Sequence, residues 1–128
     1  RMLTFSIADG GLPGNDGRGY VLRRILRRAA RFGRNLNQSE PFIHELVDTL
    51  GSIMGETFPE IIEKKSHIKK VIKAEESAFS ETLDRGLNHF DKLVLDLSSK
   101  VISGEEAFRL YDTYGFPLDL TQDYLKKE

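Results

Sequence analysis

The sequence predicts an all-α protein, and two observations support this expectation. Apolar residues recur at intervals of three and four along most of the chain, which is the period of a helix with one buried face. No stretch alternates apolar and polar residues over the length that a strand requires. At this length we expect one helical domain over residues 1–128, with an arginine-rich helix near its N-terminus and a long central helix or helical hairpin.

The first third of the chain predicts helix, loop and helix. Residues 1–8 are interpreted as the end of a helix. Residues 9–17 contain four glycines and one proline, a composition that excludes regular structure, so we expect an ordered or a flexible loop there. Residues 18–32 contain only one glycine and no proline. They predict a helix that ends near Gly33, with an apolar face formed by Leu22, Ile25, Leu26 and Ala29.

Four more helical segments follow. Ser39, Glu40 and Pro41 are typical of a helix start, and the apolar spacing after them predicts a short helix. From Pro59 to about Leu97 the spacing predicts one long helix or two abutting ones, on the order of 50 Å if unbroken. Residues 102–106 resemble a helix N-terminus that leads into a short helix over residues 108–111. The last helix is expected to start at Pro117 or Asp119.

Charge is distributed unevenly along the chain. Residues 1–34 hold eight arginines and two aspartates, a net +6, so the rest carries −7 because the whole chain is −1. On a helical projection Arg24, Arg27, Arg28 and Arg31 lie mostly opposite the apolar face, which predicts that they face outward. Such a face suits nucleic-acid phosphates. The alternative is pairing with the acidic remainder, which we favour less because few acids lie within the helix itself.

Several classes of site are not supported by the sequence. The three histidines lie far apart without ligand spacing and are expected at the surface, so we expect no metal site. Neighbouring acids such as Glu75 and Glu76 diverge by 100° on a helix, which argues against a catalytic pair. The glycine-rich loop lacks the spacing of a phosphate-binding loop. The lysines of residues 64–73 are bracketed by glutamates and predict a solvated face.

The bulk composition is that of a soluble protein. It is 39% hydrophobic and 30% charged, and no apolar run is long enough to span a membrane, so we expect no membrane association. The absence of cysteine excludes disulfides and thiol chemistry. Because the sequence starts at Arg1 with no signal segment, we expect it to be a piece of a longer protein.

Two segments resemble alanyl-tRNA synthetase of the bacterial type. They are residues 8–24 (ADGGLPGNDGRGYVLRR) and residues 110–121 (LYDTYGFPLDLT). The similarity continues between them through residues 27–31, Glu75, Glu76 and Phe79, and through Thr82, Leu83 and Gly86, so it covers essentially the whole chain. One departure is Gly14, which stands where we expect serine or another small polar residue.

The resemblance implies a position in the helical tRNA-recognition region that follows the class II catalytic domain. It implies that Asn15 and Asp112 flank the tRNA acceptor stem and recognise a G·U wobble pair. Without the resemblance, we would favour a turn as the explanation of Asn15, and a helix cap or an ion pair as the explanation of Asp112. Contacts to the RNA backbone are expected from five arginines: Arg18, Arg23, Arg24, Arg27 and Arg28.

The same resemblance implies a cytoplasmic alanine–tRNA ligase as the parent protein. ATP and Mg would belong to its catalytic domain and zinc to its editing domain, so we expect no cofactor, no metal and no catalytic residue in these 128 residues. The expected partners are the tRNA acceptor stem and the parent's catalytic domain, and we expect no DNA partner. The alternative function is a helical protein-interaction module whose cationic face docks an acidic protein.

Overall fold

A computed structural model describes residues 1–96, 101–116 and 118–127, which form seven α-helices and one 3₁₀ helix and contain no strand. The all-α prediction is confirmed. The elements are α1 (Met2–Ala8), α2 (Gly17–Asn35), a 3₁₀ helix (Ile43–Glu45), α3 (Leu46–Met54), α4 (Pro59–Glu63), α5 (Lys65–Asp96), α6 (Gly104–Tyr114) and α7 (Leu118–Lys127).

The described residues belong to two compact units, Arg1–Ala78 and Phe79–Glu128, and α5 contributes to both. The expectation of a single domain stays a prediction.

The central run that begins at Pro59 consists of two abutting helices, α4 and α5, which is one of the two alternatives that the sequence predicted. Pro59 occupies the first turn of α4, which ends at Glu63, and Lys64 alone separates it from the 32 residues of α5. The predicted boundaries at Leu97 and Pro117 lie outside the described residues.

The buried face of α2 differs from the predicted one. Leu22 and Leu26 are buried as expected, but the face continues through Ala30 and Gly33, whereas Ile25 is 39% exposed. A Cβ at Gly33 would lie 2.3 Å from the ring of Phe42, so the absence of a side chain allows this close contact. The face is therefore rotated from the expected one, and the helix continues past Gly33 to Asn35.

The predicted helix start at Pro41 is wrong, since regular structure begins only at Ile43. The reason is a tertiary contact that replaces a local cap. Glu76 of α5 is 4% exposed, and its carboxylate accepts hydrogen bonds from the backbone N–H groups of Phe42 (3.2 Å) and Ile43 (3.1 Å). These N–H groups lie at the N-terminus of the 3₁₀ helix, on its cap residue and its first residue, where acceptors must come from outside the helix.

In the first unit, α1 packs against α2 and α4, and α3 packs against the 3₁₀ helix. The core of this unit is aliphatic. It is formed by side chains that are at most 1% exposed, namely Ile7, Ala8, Leu26, Val47, Ile61, Ile68 and Ile72.

The second unit has a more aromatic core, in which α6 packs against α7. A Cβ at Gly86 of α5 would lie 2.4 Å from the ring of Phe116, which is fully buried. The N-terminus of α6 is capped by Ser103, whose Oγ accepts from the N–H of Glu106 at 3.3 Å. This confirms the predicted helix start. The other buried apolar side chains of this core are Phe79, Leu83, Phe90, Leu110 and Leu120.

Candidate nucleic-acid interface

The glycine-rich loop between α1 and α2 is held by backbone hydrogen bonds. The N–H of Gly11 donates to the carbonyl of Ser6 at 2.8 Å, and the N–H of Gly14 donates to the carbonyl of Gly19 at 2.9 Å. A Cβ at Gly19 would lie 2.6 Å from the backbone carbonyl oxygen of Leu12, so this position requires glycine. Of the two alternatives left open by the sequence, the structure favours an ordered loop.

Asn15 is exposed near the end of this loop, two residues before α2. Its carbonyl oxygen Oδ1 accepts a hydrogen bond from Nη1 of Arg23, which lies on the second turn of α2. The departure at Gly14 does not prevent this arrangement. A Cβ at Gly14 would come no closer than 3.8 Å to another atom, so the position also has room for a small side chain.

Arg23 also contacts Glu75 of α5. Its Nε lies 2.8 Å from Oε1 and its Nη2 lies 3.2 Å from Oε2, the two-point geometry that suits a guanidinium and a carboxylate. Arg27, one turn further along α2, donates from Nε to the same Oε1 at 3.2 Å. The Glu75 side chain is only 10% exposed, against 24% for each arginine. One glutamate therefore holds two arginines and, through Arg23, contacts the loop asparagine.

The predicted outward orientation of the arginines is correct for some and wrong for others. Arg18, Arg24 and Arg28 are exposed. Arg27 was expected to face outward, but it turns towards α5 because Glu75 supplies a charge partner that lies 48 residues away in sequence. The pairing with the acidic remainder that we favoured less thus accounts for Arg23 and Arg27, while the exposed arginines leave a cationic surface on α2.

Arg28 and Arg31 both lie near the ring of Phe32, with Cζ at 6.0 Å and 5.5 Å from its centroid. Phe32 is itself 48% exposed. Cationic groups over an exposed aromatic ring form weak contacts of about 0.5–1 kcal/mol. This end of α2 therefore presents mixed cationic and aromatic chemistry.

Asp112 lies in the second unit, on α6, and is exposed. The helix that carries it is fixed at its C-terminal end. Gly115 adopts a left-handed conformation with φ of 64°, and its N–H and that of Phe116 donate to the carbonyl of Leu110. Leu110 is fully buried. Asp112 therefore projects from a well-packed helix rather than from a loop.

His89 of α5 also holds α6 in place. Its ring stacks on Tyr114, with centroids 5.2 Å apart, and its Nε2 lies 3.5 Å from Oε2 of Glu106. The side chain is 24% exposed, so the expectation of a surface position is wrong for His89. The physical reason is the flat apolar ring of Tyr114, which packs against an imidazole on the neighbouring helix.

The central lysines are solvated in part, but their partners were not anticipated. Nζ of Lys64 donates to the backbone carbonyl of Ala8 at 2.6 Å. Lys65 and Lys69 pair with Asp48 of α3, at 3.4 Å and 2.5 Å. The hydrogen bond from Lys69, with a smaller contribution from Lys65, lowers the pKa of Asp48. These lysines connect helices of the first unit.

Comparison with known proteins is decisive for the family. The sequence profile of the family described as "tRNA synthetases class II (A)" matches residues 1–128. The chain belongs to this family. Its resemblance to alanyl-tRNA synthetase is confirmed, because the similar curated proteins are named alanine–tRNA ligase.

Three of these relatives illustrate the similarity. The Chlorobium chlorochromatii protein is 56% identical over 125 residues, 95% of this chain. The Streptococcus sanguinis protein is 54% identical over 126 residues, 96% of this chain. The Halalkalibacterium halodurans protein is 50% identical over 131 residues and covers the whole chain. The matched region is 14–15% of the length of each relative, so the chain spans a small part of them.

Two further observations concern the described part of the chain. No helix there is long and apolar enough to cross a membrane. Within the same residues, no three His, Asp or Glu side chains come together as a group that fits a metal ion.

Proposed function

We propose that this chain is the part of an alanine–tRNA ligase that binds the tRNA acceptor stem and recognises a G·U wobble pair. The observation that carries the proposal is the position of Asn15 beside a cationic helix. Asn15 is exposed on an ordered loop, and the exposed Arg18, Arg24 and Arg28 belong to the helix that follows. This combination offers phosphate contacts for affinity and a neutral polar side chain for base recognition.

The proposed roles follow the chemistry of a wobble pair. The guanine N2 amino group has no Watson–Crick partner in G·U and projects into the minor groove, where a carboxylate accepts from it. Asp112 supplies an exposed carboxylate on a packed helix. The RNA minor groove is wide and shallow, so side chains reach base edges there without opening the helix. We assign Asp112 to the base pair because a carboxylate beside phosphates is repelled.

The five arginines are proposed to contribute in two ways. Arg18, Arg24 and Arg28 are exposed and are assigned to the RNA backbone. Arg23 and Arg27 were also candidates for this role, but Glu75 already binds both of them. They add positive potential near the backbone while their guanidinium groups stay fixed.

The parent protein is proposed to be a cytoplasmic ligase that attaches alanine to tRNA with ATP. ATP and Mg are assigned to its catalytic domain and zinc to its editing domain, outside this chain.

Packing of this chain against the catalytic domain is supported by apolar side chains that α2 leaves exposed, namely Val21 (50%), Ile25 (39%) and Phe32 (48%). The chain alone is expected to be inactive and to position the acceptor end.

The test of RNA binding is a titration of the 128-residue chain with an acceptor-stem hairpin at several salt concentrations. Arg24→Ala and Arg28→Ala should each weaken binding of G·U and G·C hairpins equally. Each should also reduce the slope of log affinity against log salt by about 1. Arg85→Ala removes an exposed arginine of α5 and serves as the matched control. No RNA affinity at low salt would contradict the proposal and favour docking to an acidic protein.

A further inference from the structure

One end of the Asn15 side-chain amide already forms a hydrogen bond within the protein. Its partner is the guanidinium of Arg23, which has N–H donors and no acceptor. The Asn15 atom in this contact is therefore the carbonyl oxygen Oδ1, because the amide nitrogen has no acceptor to offer a guanidinium. It follows that the amide nitrogen Nδ2, with two donors, is the end of the side chain left to face a ligand.

Arg23 is itself fixed by a partner on another helix. Two of its nitrogens bind the two oxygens of Glu75, at 2.8 Å and 3.2 Å, and the third is the one that faces Asn15. A planar guanidinium held at two points cannot rotate without breaking both bonds. The direction of its third nitrogen is thus set by Glu75, whose side chain is 90% buried by the surrounding helices.

We propose that Glu75 and Arg23 are positioning residues that orient Asn15, so that it contacts RNA as a hydrogen-bond donor through Nδ2. The inference rests on the proposed function and deepens it. Asn15 would then contact an acceptor in the minor groove, such as a purine N3, a pyrimidine O2 or a ribose hydroxyl. Asp112, an acceptor, would contact the exposed amino group, so the two side chains carry complementary hydrogen-bonding roles.

The first experiment tests the orientation of Asn15 without RNA. The variant Arg23→Lys keeps the positive charge but cannot bind both Glu75 oxygens and Asn15 at once. The ¹H–¹⁵N nuclear Overhauser effect of the Asn15 side-chain amide should indicate order in the wild type and mobility in Arg23→Lys. Arg85→Lys is the matched control and should leave this signal unchanged. Wild-type order of Asn15 in a folded Arg23→Lys variant would overturn the proposal.

The second experiment tests the direction of the hydrogen bond to RNA. The readout is the ratio of affinities for hairpins with G·U and G·C, which cancels uniform electrostatic effects. Arg23→Lys should lower this ratio by about fivefold or more, the effect of losing roughly one hydrogen bond, whereas Arg85→Lys should not change it. Asn15→Asp keeps the acceptor that faces Arg23 and replaces the outward donor by a second acceptor. Its ratio should fall as far as that of Asn15→Ala.

A wild-type ratio in Asn15→Asp would overturn the assigned donor role. If the wild-type chain binds both hairpins equally, the proposed G·U recognition fails, and the amide measurement alone then decides whether Arg23 orients Asn15. The two failures are therefore distinguishable.

Discussion

Arg23 and Glu75 are separated by 52 residues in sequence and form a two-point ion pair, with Nε 2.8 Å from Oε1 and Nη2 3.2 Å from Oε2. This pair joins α2 to α5 inside the first unit. It also links the packing of the helices to the loop that carries Asn15, because the same guanidinium contacts Oδ1 of Asn15. Loss of Glu75 should thus affect both stability and the candidate site.

We expect Glu75→Ala to lower the free energy of unfolding by about 1–3 kcal/mol, because it leaves Arg23 and Arg27 without their shared acceptor in a partly buried place. Urea denaturation followed by circular dichroism measures the change. Glu56→Ala removes an exposed glutamate and should change stability by less than about 0.5 kcal/mol. Equal effects of the two substitutions would show that the pair contributes nothing specific.

Glu76 provides a separate prediction about stability. Glu76→Ala removes the acceptor of two backbone N–H groups, those of Phe42 and Ile43, and should cost about 2–4 kcal/mol. Glu76→Gln keeps one acceptor oxygen in nearly the same shape and should cost less. Denaturant titration of both variants checks the order. A smaller loss in Glu76→Ala than in Glu76→Gln would argue against this capping role.

Gly14 of the loop and Gly19 in the first turn of α2 should respond oppositely to substitution. Gly19→Ala places a methyl group 2.6 Å from the carbonyl oxygen of Leu12 and should distort the loop, lowering both stability and RNA affinity. Gly14→Ser meets nothing closer than 3.8 Å and should keep RNA affinity within about twofold. It should stabilise the chain slightly, by about 0.4–1 kcal/mol, because the unfolded chain loses freedom. Similar losses in both variants would refute the described loop geometry.

Asp48 provides a pH-dependent prediction. The hydrogen bond from Lys69 lowers the pKa of Asp48 below the ordinary value of 3.8. A lowered folded-state pKa means that this contribution to stability is present above about pH 4 and is lost as pH falls through the lowered value. Lys69→Met should therefore raise the pKa of Asp48, measured by NMR titration of its carboxyl carbon. An unchanged pKa would show that Lys69 is not its main partner.

Much of the helical architecture could be predicted from local sequence. The proline at the start of α4, the serine cap of α6 and the apolar spacing of α5 all act within a few residues, which is why these elements were anticipated. The start of the 3₁₀ helix at Ile43 could not be predicted from local sequence. The backbone N–H groups of Phe42 and Ile43 donate to Glu76, which lies more than 30 residues away.

The candidate site shows the same division between local and distant contacts. The exposed Arg24 and Arg28 follow from helical periodicity alone. The role of Glu75 does not, since a glutamate on a long helix carries no local sign of the arginines it will bind. The only available signal was the excess of positive charge on α2, which favoured some pairing with the acidic remainder without indicating the residue.

The most direct test of the proposed G·U recognition is the affinity of the chain at low salt for acceptor-stem hairpins with G·U or G·C at the third position. The comparison uses the wild type and Asp112→Ala. We predict tighter binding of G·U by the wild type, and loss of that difference with residual affinity in Asp112→Ala. Binding that is indifferent to the base pair in the wild type would contradict base recognition by this chain and leave only backbone contacts by the arginines of α2.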